Sequence, residues 1–263
     1  MAGFCGWFGL RSGSPAEGLE AQGAALPDPL TNQSSDQLEG RLGGCLVRGG
    51  WIAENQERIA AIAGHPQWRD AALAQRAREQ GPAEALLEAW QRDGDGLLER
   101  IGGDFALAVI DAAQGRLLAA IDRLGQMPLH FARVDGGLVF GTTAGSVVAH
   151  PAVSTSITDT GLYHYCFFHM LPAPTSLFAG VEKLRGAHRL VHQGGHTQVG
   201  CYWLPRFEES AAASVAAHAE ALQEHLETAV RRSVDSAHTG AFLSGGLDSS
   251  TVAGMLARMQ PGD

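Results

Sequence analysis

The residues best suited to chemistry form a short run, LSGGLDSS, which follows an apolar stretch and precedes a helical pattern. The two glycines let the backbone approach a ligand closely, and the amides at a helix start attract anions. Asp248 would repel a phosphate unless Mg²⁺ lay between them, so the run predicts a metal-bridged polyphosphate. The simpler alternative is a glycine turn with a helix cap. The candidate ligand-binding residues are Leu243, Ser244, Gly245, Gly246, Asp248, Ser249 and Ser250.

A second candidate is Cys5, in the opening run MAGFCGWFG. A thiol near a chain start can be a nucleophile that the free α-amine activates. The alternative is a small apolar side chain in a strand. The four cysteines are widely spaced, with no C-x-x-C pair and no His at metal-ligand spacing around them, which predicts reduced, buried thiols and no zinc site.

The spacing of apolar residues changes along the chain, and it predicts the helices and strands that would position these residues. Helices are predicted at RDAALAQRAREQ and PAEALLEAW, on either side of Gly81, and a further helix at LYHYCFF. Apolar alternation in FALAVID, RLLAAID, LHFARV and LVFGT predicts an antiparallel meander. HRLVHQ and HTQVGCYW predict one more hairpin. Residues 13–40, rich in Gly, Pro, Ser and Asn, are predicted to form a loop.

Aromatic residues are concentrated in two sets. In an acidic chain we expect them to pack in a core or an interface rather than to stack on bases. The core candidates are Trp51, Trp68 and Trp90, and the core or interface candidates are Tyr163, Tyr165, Phe167 and Phe168.

The pattern changes again after about position 205, which predicts two domains, 1–205 and 206–263. The second begins with a helix, a buried strand at TGAFLSGG and another helix, the first βα unit of a parallel α/β domain. A single strand cannot form a sheet. We therefore expect the 263 residues to be the front part of a longer protein, without turnover of their own.

Composition narrows the class of protein. The formal charge of −9 argues against a nucleic-acid or membrane-surface binder, because both need clustered Lys and Arg. No apolar stretch is long enough for a transmembrane helix, and the opening run lacks a basic segment before it. The sequence therefore predicts a globular, cytoplasmic protein.

Longer stretches resemble one family in that family's own order. GGDFALAVIDAAQGRLLAAIDRLGQMPLHF, including D-R-L-G-x-x-P-L at residues 122–129, is similar to the glutaminase domain of asparagine synthetase B enzymes. LPAPTSLFAGVEKLRGAHRL and CYW are similar to the end of that domain. ETAVRRSVDSAHTGAFLSGGLDSSTVAGMLA is similar to the start of the synthetase domain, with its pyrophosphate-binding loop.

The resemblance implies a fold and a reaction. The fold is an α+β, four-layer αββα domain of the N-terminal-nucleophile hydrolase type, followed by the first βα unit of an α/β parallel-sheet ATP-pyrophosphatase domain. The cofactors would be ATP and Mg²⁺, with Asp248 holding the metal through pyrophosphate. The reaction activates a carboxylate as an acyl-adenylate, which an amine then attacks to form an amide.

Several positions depart from the family's glutaminase pattern. The family's M-C-G-I-x-G-I-F-G, laid on the opening run without gaps, puts Ala2 at the nucleophile and Cys5 at a strand position. A rival register starts at Cys5 and matches fewer residues. The family's Asn-Gly-Glu segment falls on Ala63-Gly64-His65, and a carboxylate for the glutamine amine falls on Pro82. The family's H-R-G-P-D stretch is absent, so loss of glutamine hydrolysis is expected.

These departures are typical of relatives whose substrate supplies its own amine, namely lasso-peptide macrolactam synthetases and β-lactam synthetases. IAGHPQWRDAALA resembles the degenerate N-terminal domains of the lasso type, which favours a precursor peptide as the carboxylate substrate. The first alternative is an asparagine synthase acting on aspartate, with glutamine or ammonia as nitrogen donor. The second is a truncated, non-catalytic binding module. Possible partners are a second copy or companion biosynthetic proteins.

Overall fold

A computed structural model describes residues 2–10, 15–27, 35–208, 214–234 and 239–259. The chain divides into two compact units, Met1–Leu204 and Pro205–Asp263. The first unit contains both sheets and most of the helices, and the second contains two helices. Each unit is described on its own below.

Sheet A of the first unit has six antiparallel strands in the order β10-β8-β9-β1-β3-β2. The central strand β1 pairs with β3 on one side and with β9 on the other. The strand bounds are β1 (Gly3–Phe8), β2 (Ser35–Glu39), β3 (Gly43–Arg48), β8 (His130–Val134), β9 (Gly137–Gly141) and β10 (Val181–Lys183).

Sheet B is also antiparallel, in the order β12-β11-β7-β6-β5-β4. The predicted hairpin at 188–203 is confirmed as β11 and β12. The predicted meander is wrong in one respect, because its first hairpin lies in sheet B and its second in sheet A. The bounds are β4 (Trp51–Asn55), β5 (Arg58–Trp68), β6 (Ile101–Asp111), β7 (Arg116–Ile121), β11 (His188–Gln193) and β12 (His196–Cys201).

The two sheets pack face to face, and helices cover their outer faces. Helices α1 (Pro15–Ala24) and α5 (Ala144–Val148) lie against sheet A, while α2 (Ala71–Gln80) and α3 (Pro82–Asp93) lie against sheet B. Three apolar clusters fill the space between these layers, and the central one joins residues of both sheets. The predicted four-layer αββα fold is therefore confirmed. The remaining α-helices in the described part of this unit are α4 (Leu97–Arg100) and α6 (Asp159–Phe168), and a 3-10 helix spans Gly94–Gly96.

The helix predictions around Gly81 are confirmed, and the cause is local. Asp70 caps α2 by accepting the amides of Ala72 and Leu73, at 2.9 and 3.2 Å. Gly81 has a φ of 103°, which favours glycine and separates α2 from α3. Pro82 then occupies the first position of α3, where its missing N–H costs nothing.

The loop prediction for residues 13–40 is wrong where the structure describes them, because α1 and β2 lie there; residues 13, 14 and 28–34 fall outside the described part. Helix α1 forms because Leu19 and Gln22 are fully buried against sheet A. The Gln22 amide donates to the carbonyls of Gly6 and Phe140, at 3.4 and 3.3 Å. Burial therefore outweighed the turn-forming composition.

The predicted burial of the aromatic residues is confirmed for some of them and wrong for others. Trp68 and Trp90 are buried as predicted, but Trp51 is exposed. A core position for the aromatic residues of α6 is wrong, since at least half of each side chain is exposed. The exposed aromatic residues are Tyr163, Tyr165, Phe167 and Phe168.

In the second unit, the two predicted helices are confirmed as α7 (Val215–Arg232) and α8 (Leu247–Met259). The predicted buried strand before α8 is wrong: residues 239–243 form no strand, and Phe242 is fully exposed. A strand needs a neighbour for its backbone hydrogen bonds, and nothing in the described part of this unit provides one. Only Met255 is buried among its described residues. Across all described residues, no helix is long and apolar enough to cross a membrane.

Candidate functional site

Strand β1 presents its two faces to different layers of the first unit. Phe4 and Phe8 belong to the apolar cluster between the two sheets, and the half-buried Ala2 packs against the same cluster. Cys5 and Trp7 belong to the cluster between sheet A and its outer helices. Because side chains alternate along a strand, Ala2 faces the layer between the sheets, whereas Cys5 faces away from it.

Cys5 lies in an environment that keeps its thiol protonated. Its side chain is fully buried, and its Sγ donates to the Leu46 carbonyl at 3.9 Å. Burial raises the pKa of Cys5 to about 12, and the charge of Arg48 opposes this rise. Cys45 faces the layer between the sheets, but its full burial, with Cys5 nearby, raises its pKa even further. Neither thiol is therefore a ready nucleophile at neutral pH.

The segment Ala63-Gly64-His65 lies in β5, opposite the start of β6. Ala63 is fully buried between the sheets and has no polar side-chain group. Gly64 has a φ of 100°, and a Cβ there would lie 2.4 Å from the Asp104 carbonyl oxygen, so only glycine fits. The His65 Nδ1 lies 3.0 Å from the Asp104 carboxylate in a largely exposed pair.

The turn after β7 closes over this segment. The Asp122 side chain is almost fully buried and accepts the amides of Leu124, Gln126 and Met127, at 3.0, 3.1 and 2.9 Å. A longer bond of 3.4 Å comes from the Phe105 amide. These bonds hold Met127 so that its Cγ lies 3.1 Å from where a Cβ of Gly64 would be.

The turn after β7 and the start of β6 contain residues whose roles the sequence did not predict. Asp122 was noticed only as part of D-R-L-G-x-x-P-L, and Asp104 and Met127 were not singled out at all. An Asp at a strand end followed by a glycine turn is a signal that could have identified Asp122. Met127 and Asp104 could not be found in this way, because Asp104 meets His65 only through strand pairing and Met127 reaches Gly64 only through the Asp122 turn.

Two serines of the loop before α8 hold its backbone in a tight turn through hydrogen bonds. The Ser244 and Ser249 hydroxyl oxygens lie 2.9 Å apart, and the Ser244 amide donates to the Ser249 hydroxyl at 3.2 Å. The Ser249 hydroxyl donates to the Gly246 carbonyl at 3.1 Å, and Gly245 has a φ of 84°. The structure thus brings the predicted residues Ser244, Gly246 and Ser249 together. Leu243, Asp248 and Ser250 are exposed around them.

The chemistry of this loop fits a polyphosphate. The first-turn amides of α8 have no partner within the helix, and the dipole of its 13 residues favours negative charge there. Asp248 is the only acidic residue of that first turn. No group of three or more metal-ligating side chains occurs in the described residues, so Mg²⁺ at Asp248 would need phosphate oxygens as further ligands.

Comparison with known proteins places the chain in a family. Residues 64–203 match the family model for a glutamine amidotransferase domain, and residues 221–263 match the model for asparagine synthase. The chain belongs to the asparagine synthetase family. The predicted family membership is therefore confirmed, whereas the closeness to the lasso-peptide type stays a prediction.

Individual members of the asparagine synthetase family are similar over most of this chain. Asparagine synthetase [glutamine-hydrolyzing] 3 of Bacillus subtilis is 29% identical over 180 residues, which are 66% of this chain and 28% of that protein. A putative asparagine synthetase [glutamine-hydrolyzing] of Mycobacterium bovis is 30% identical over 189 residues, which are 69% of this chain and 29% of that protein. The chain thus spans less than a third of the length of these curated relatives.

One solved structure aligned with this asparagine synthetase relative is glutamine phosphoribosylpyrophosphate amidotransferase from B. subtilis. The alignment covers 98% of this chain and 64% of that chain, with 12% sequence identity and a TM-score of 0.45. A similarity this weak carries no argument about function.

Proposed function

We propose that this chain is part of an ATP-dependent enzyme that forms C–N bonds without hydrolysing glutamine. The observation that carries the proposal is the position of Ala2. It packs against the layer between the sheets at the start of β1, where the resemblance places the glutaminase nucleophile. A methyl group has no lone pair with which to attack an amide carbonyl.

The positions that the resemblance assigns to glutamine binding support the same conclusion. Ala63 and Pro82 stand where the family would bind the glutamine amide and α-amine, and neither side chain can donate or accept a hydrogen bond. His65 replaces a carboxylate and is already paired with Asp104 at 3.0 Å. Cys5 does not provide a substitute, because it faces the outer helices and burial raises its pKa to about 12.

The second half of the proposal rests on the loop before α8. In an adenylating enzyme, a substrate carboxylate oxygen attacks the α-phosphorus of ATP, pyrophosphate leaves, and an amine then displaces AMP from the acyl carbon. The amides at the start of α8 and the hydroxyls of Ser244 and Ser249 would hold the pyrophosphate. Asp248 would hold Mg²⁺ from the outer side of the loop, where it is exposed.

For the substrate we favour a precursor peptide that supplies both the carboxylate and the amine, as in lasso-type macrolactam formation. The support is the resemblance of IAGHPQWRDAALA to degenerate lasso-type N-terminal domains. A second candidate is asparagine formation from aspartate, with glutamine or ammonia as donor. It is favoured by the relatives, whose names describe glutamine-hydrolysing asparagine synthetases.

A glutaminase assay separates the first claim from its main alternative. We expect the 263-residue chain and its Cys5→Ala variant to release no glutamate from glutamine above the rate without protein. Glutamate release that disappears in Cys5→Ala would show that Cys5 is the nucleophile and would overturn the proposal. Release that persists in Cys5→Ala would overturn it too, by showing another nucleophile.

The substrate is tested with the protein of the whole reading frame and ¹⁸O-labelled carboxylates. We expect ¹⁸O to be transferred into AMP when the substrate is a precursor peptide encoded beside this gene. The transfer should need neither ammonium nor glutamine. Transfer only with aspartate, accompanied by asparagine formation, would favour the second candidate. Absence of AMP with either substrate would favour a binding module.

A further inference from the structure

Three strands of sheet B end at the same edge of the sheet. Strands β5, β7 and β12 are separated by β6 and β11, and every neighbouring pair is antiparallel, so these three strands run in one direction. Arg69 follows β5 directly, Arg123 lies two residues after β7, and Trp203 lies two residues after β12. Two cations and a large aromatic ring therefore gather at this edge.

Contacts within the first unit hold the Arg123 guanidinium in place. Its central carbon lies 5.1 Å from the centroid of the Trp203 ring, which is a cation–π contact. The Tyr202 hydroxyl donates to the Ile121 carbonyl at 2.8 Å and so ties the end of β12 to the end of β7. On the other side of Arg123, the Asp122 carboxylate fixes the backbone of the turn. The guanidinium is thus oriented by the fold.

The Arg123 guanidinium has no hydrogen-bond acceptor in the part of the chain that the structure describes. Its Nε is buried, and its terminal nitrogens are neither buried nor bonded there. Burial lowers the pKa of Arg123, and the charge of nearby Arg69 lowers it further, against an opposing effect of Tyr202. Partial burial and a neighbouring cation both disfavour the charged form, and a bound anion would offset both.

The carboxylates next to these two arginines are engaged elsewhere. Asp70, which follows Arg69, caps α2 and pairs with Arg92 at 3.0 Å. Asp122, which precedes Arg123, accepts the amides of its own turn. Within the described ranges neither Arg69 nor Arg123 has an ion pair. The fold therefore brings two cations together without an acidic side chain between them.

We propose that Arg69 and Arg123 form a binding site for a phosphoryl group, with Trp203 positioning the Arg123 guanidinium. Each guanidinium can donate two parallel N–H bonds to phosphate oxygens. Two such cations match the charge of a phosphate, which approaches −2 at neutral pH, better than the single charge of a carboxylate. The site belongs to the first unit, whereas the loop before α8 belongs to the second, and it does not depend on the proposed function.

The first test is binding of inorganic phosphate to the 263-residue chain, measured by ³¹P NMR titration. Arg123→Ala and Arg69→Ala should each raise the dissociation constant at least about tenfold, because each removes charge-assisted hydrogen bonds. Arg133→Ala is the matched control: Arg133 also lies 5.1 Å from a ring centroid, that of Phe131, but it pairs with Glu182. This variant should bind phosphate like wild type.

Three outcomes of this titration would overturn the proposal. The first is a wild-type chain that does not bind phosphate. The second is equal weakening by Arg133→Ala, which would show that phosphate responds only to the net charge. The third is binding that is lost in Ser249→Ala but kept in Arg123→Ala, which would place the phosphate at the loop before α8. That third result would contradict this site while supporting the proposed function.

A conservative variant separates the geometry of the guanidinium from its charge and protects the test against misfolding. Arg123→Lys keeps the charge and can still contact the Trp203 ring, but it lacks the planar fork. Its thermal unfolding should resemble that of wild type, whereas its dissociation constant for phosphate should rise about fivefold. Phosphate binding equal to wild type would mean that Arg123 does not hold the anion through a paired hydrogen bond.

The source of the phosphoryl group is tested with AMP, a phosphate monoester, and with acetate as a carboxylate. Tighter binding of AMP than of inorganic phosphate would assign the site to a phosphate monoester, and the reverse order would assign it to the free ion. In either case the binding should weaken at least about tenfold in Arg123→Ala. Acetate that binds as tightly as phosphate would overturn the assignment to a phosphoryl group.

Discussion

The start of β1 and the loop before α8 differ in what the structure retains. The first region lies in a closely packed framework of two sheets, where Phe4 and Cys5 are fully buried, but it has no reactive group at Ala2. The loop before α8 has its hydroxyls and its carboxylate in place, yet Phe242 and Leu247 beside it are largely exposed. The comparison teaches that burial rather than reactivity holds the strands around β1 together, so the fold there does not require a reactive side chain at Ala2.

The largest effect that could break this comparison is the reactivity of Cys5. With a pKa raised to about 12, Cys5 should react with iodoacetamide at pH 8 roughly a thousandfold more slowly than a free thiol. The exposed Cys166 and Cys201 are internal controls that should be labelled first. Peptide mapping by mass spectrometry measures the order. Labelling of Cys5 at the rate of Cys166 would show that it is a reactive group after all.

The stability of the two-sheet framework around β1 depends on Asp122. Asp122→Ala removes the acceptor of the Leu124, Gln126 and Met127 amides and should lower the free energy of unfolding by about 3 kcal/mol. Asp122→Asn keeps one acceptor oxygen and should cost less. Urea unfolding of both variants measures the difference. Equal, small losses would mean that the turn over Gly64 is not held by this carboxylate.

A smaller effect is expected at Asp111, which joins sheet B to α3. Its buried carboxylate accepts the Trp90 indole N–H at 2.9 Å and the Arg58 Nε–H at 2.7 Å. Burial alone would raise the pKa of Asp111, but these hydrogen bonds, the Gln114 amide and the charge of Arg58 together lower it below the usual value. Asp111→Asn should therefore cost about 2 kcal/mol at neutral pH.

The pH dependence at Asp111 follows from the direction of its pKa. A lowered pKa stabilises the fold above the unfolded-state value of about 3.9, and this stability is lost as the pH falls through the lower folded-state pKa. The wild-type chain should lose stability in that acid range more steeply than Asp111→Asn. Parallel acid-unfolding curves for the two proteins would contradict the assignment.

The parts of the molecule that the sequence predicted share a strong local pattern. Helices α2, α3, α7 and α8 follow from the apolar period and from breaks such as Gly81, whereas the αββα layers were implied by the family resemblance. Helix α1 was missed because its composition suggests turns, and only contacts such as those of Gln22 explain it. The split of the meander between two sheets depends on Asp122, whose turn carries the chain across, and period alone does not show such a crossing.

Candidate sites follow the same division. The sequence found Ser244 and Ser249 because the loop is one continuous run, and the structure brings them within 2.9 Å. It could not find Met127 over Gly64, since the two residues are far apart in the chain and meet only through the Asp122 turn. The sequence left a core and an interface position open for the aromatic residues of α6, because composition does not distinguish a buried helix from an exposed one.

The smallest effect is expected in the loop before α8, the second region of the comparison. If its serines hold pyrophosphate, Ser249→Ala should weaken binding of Mg²⁺-pyrophosphate to the 263-residue chain about tenfold, because one charge-assisted hydrogen bond is lost. Ser214 is a matched control: it caps α7 by accepting the Ala217 amide at 3.2 Å and lies outside the loop. Isothermal titration calorimetry should show Ser214→Ala binding like wild type. Equal binding by all three proteins would mean that the Ser244–Ser249 contact only shapes a helix start and does not hold pyrophosphate.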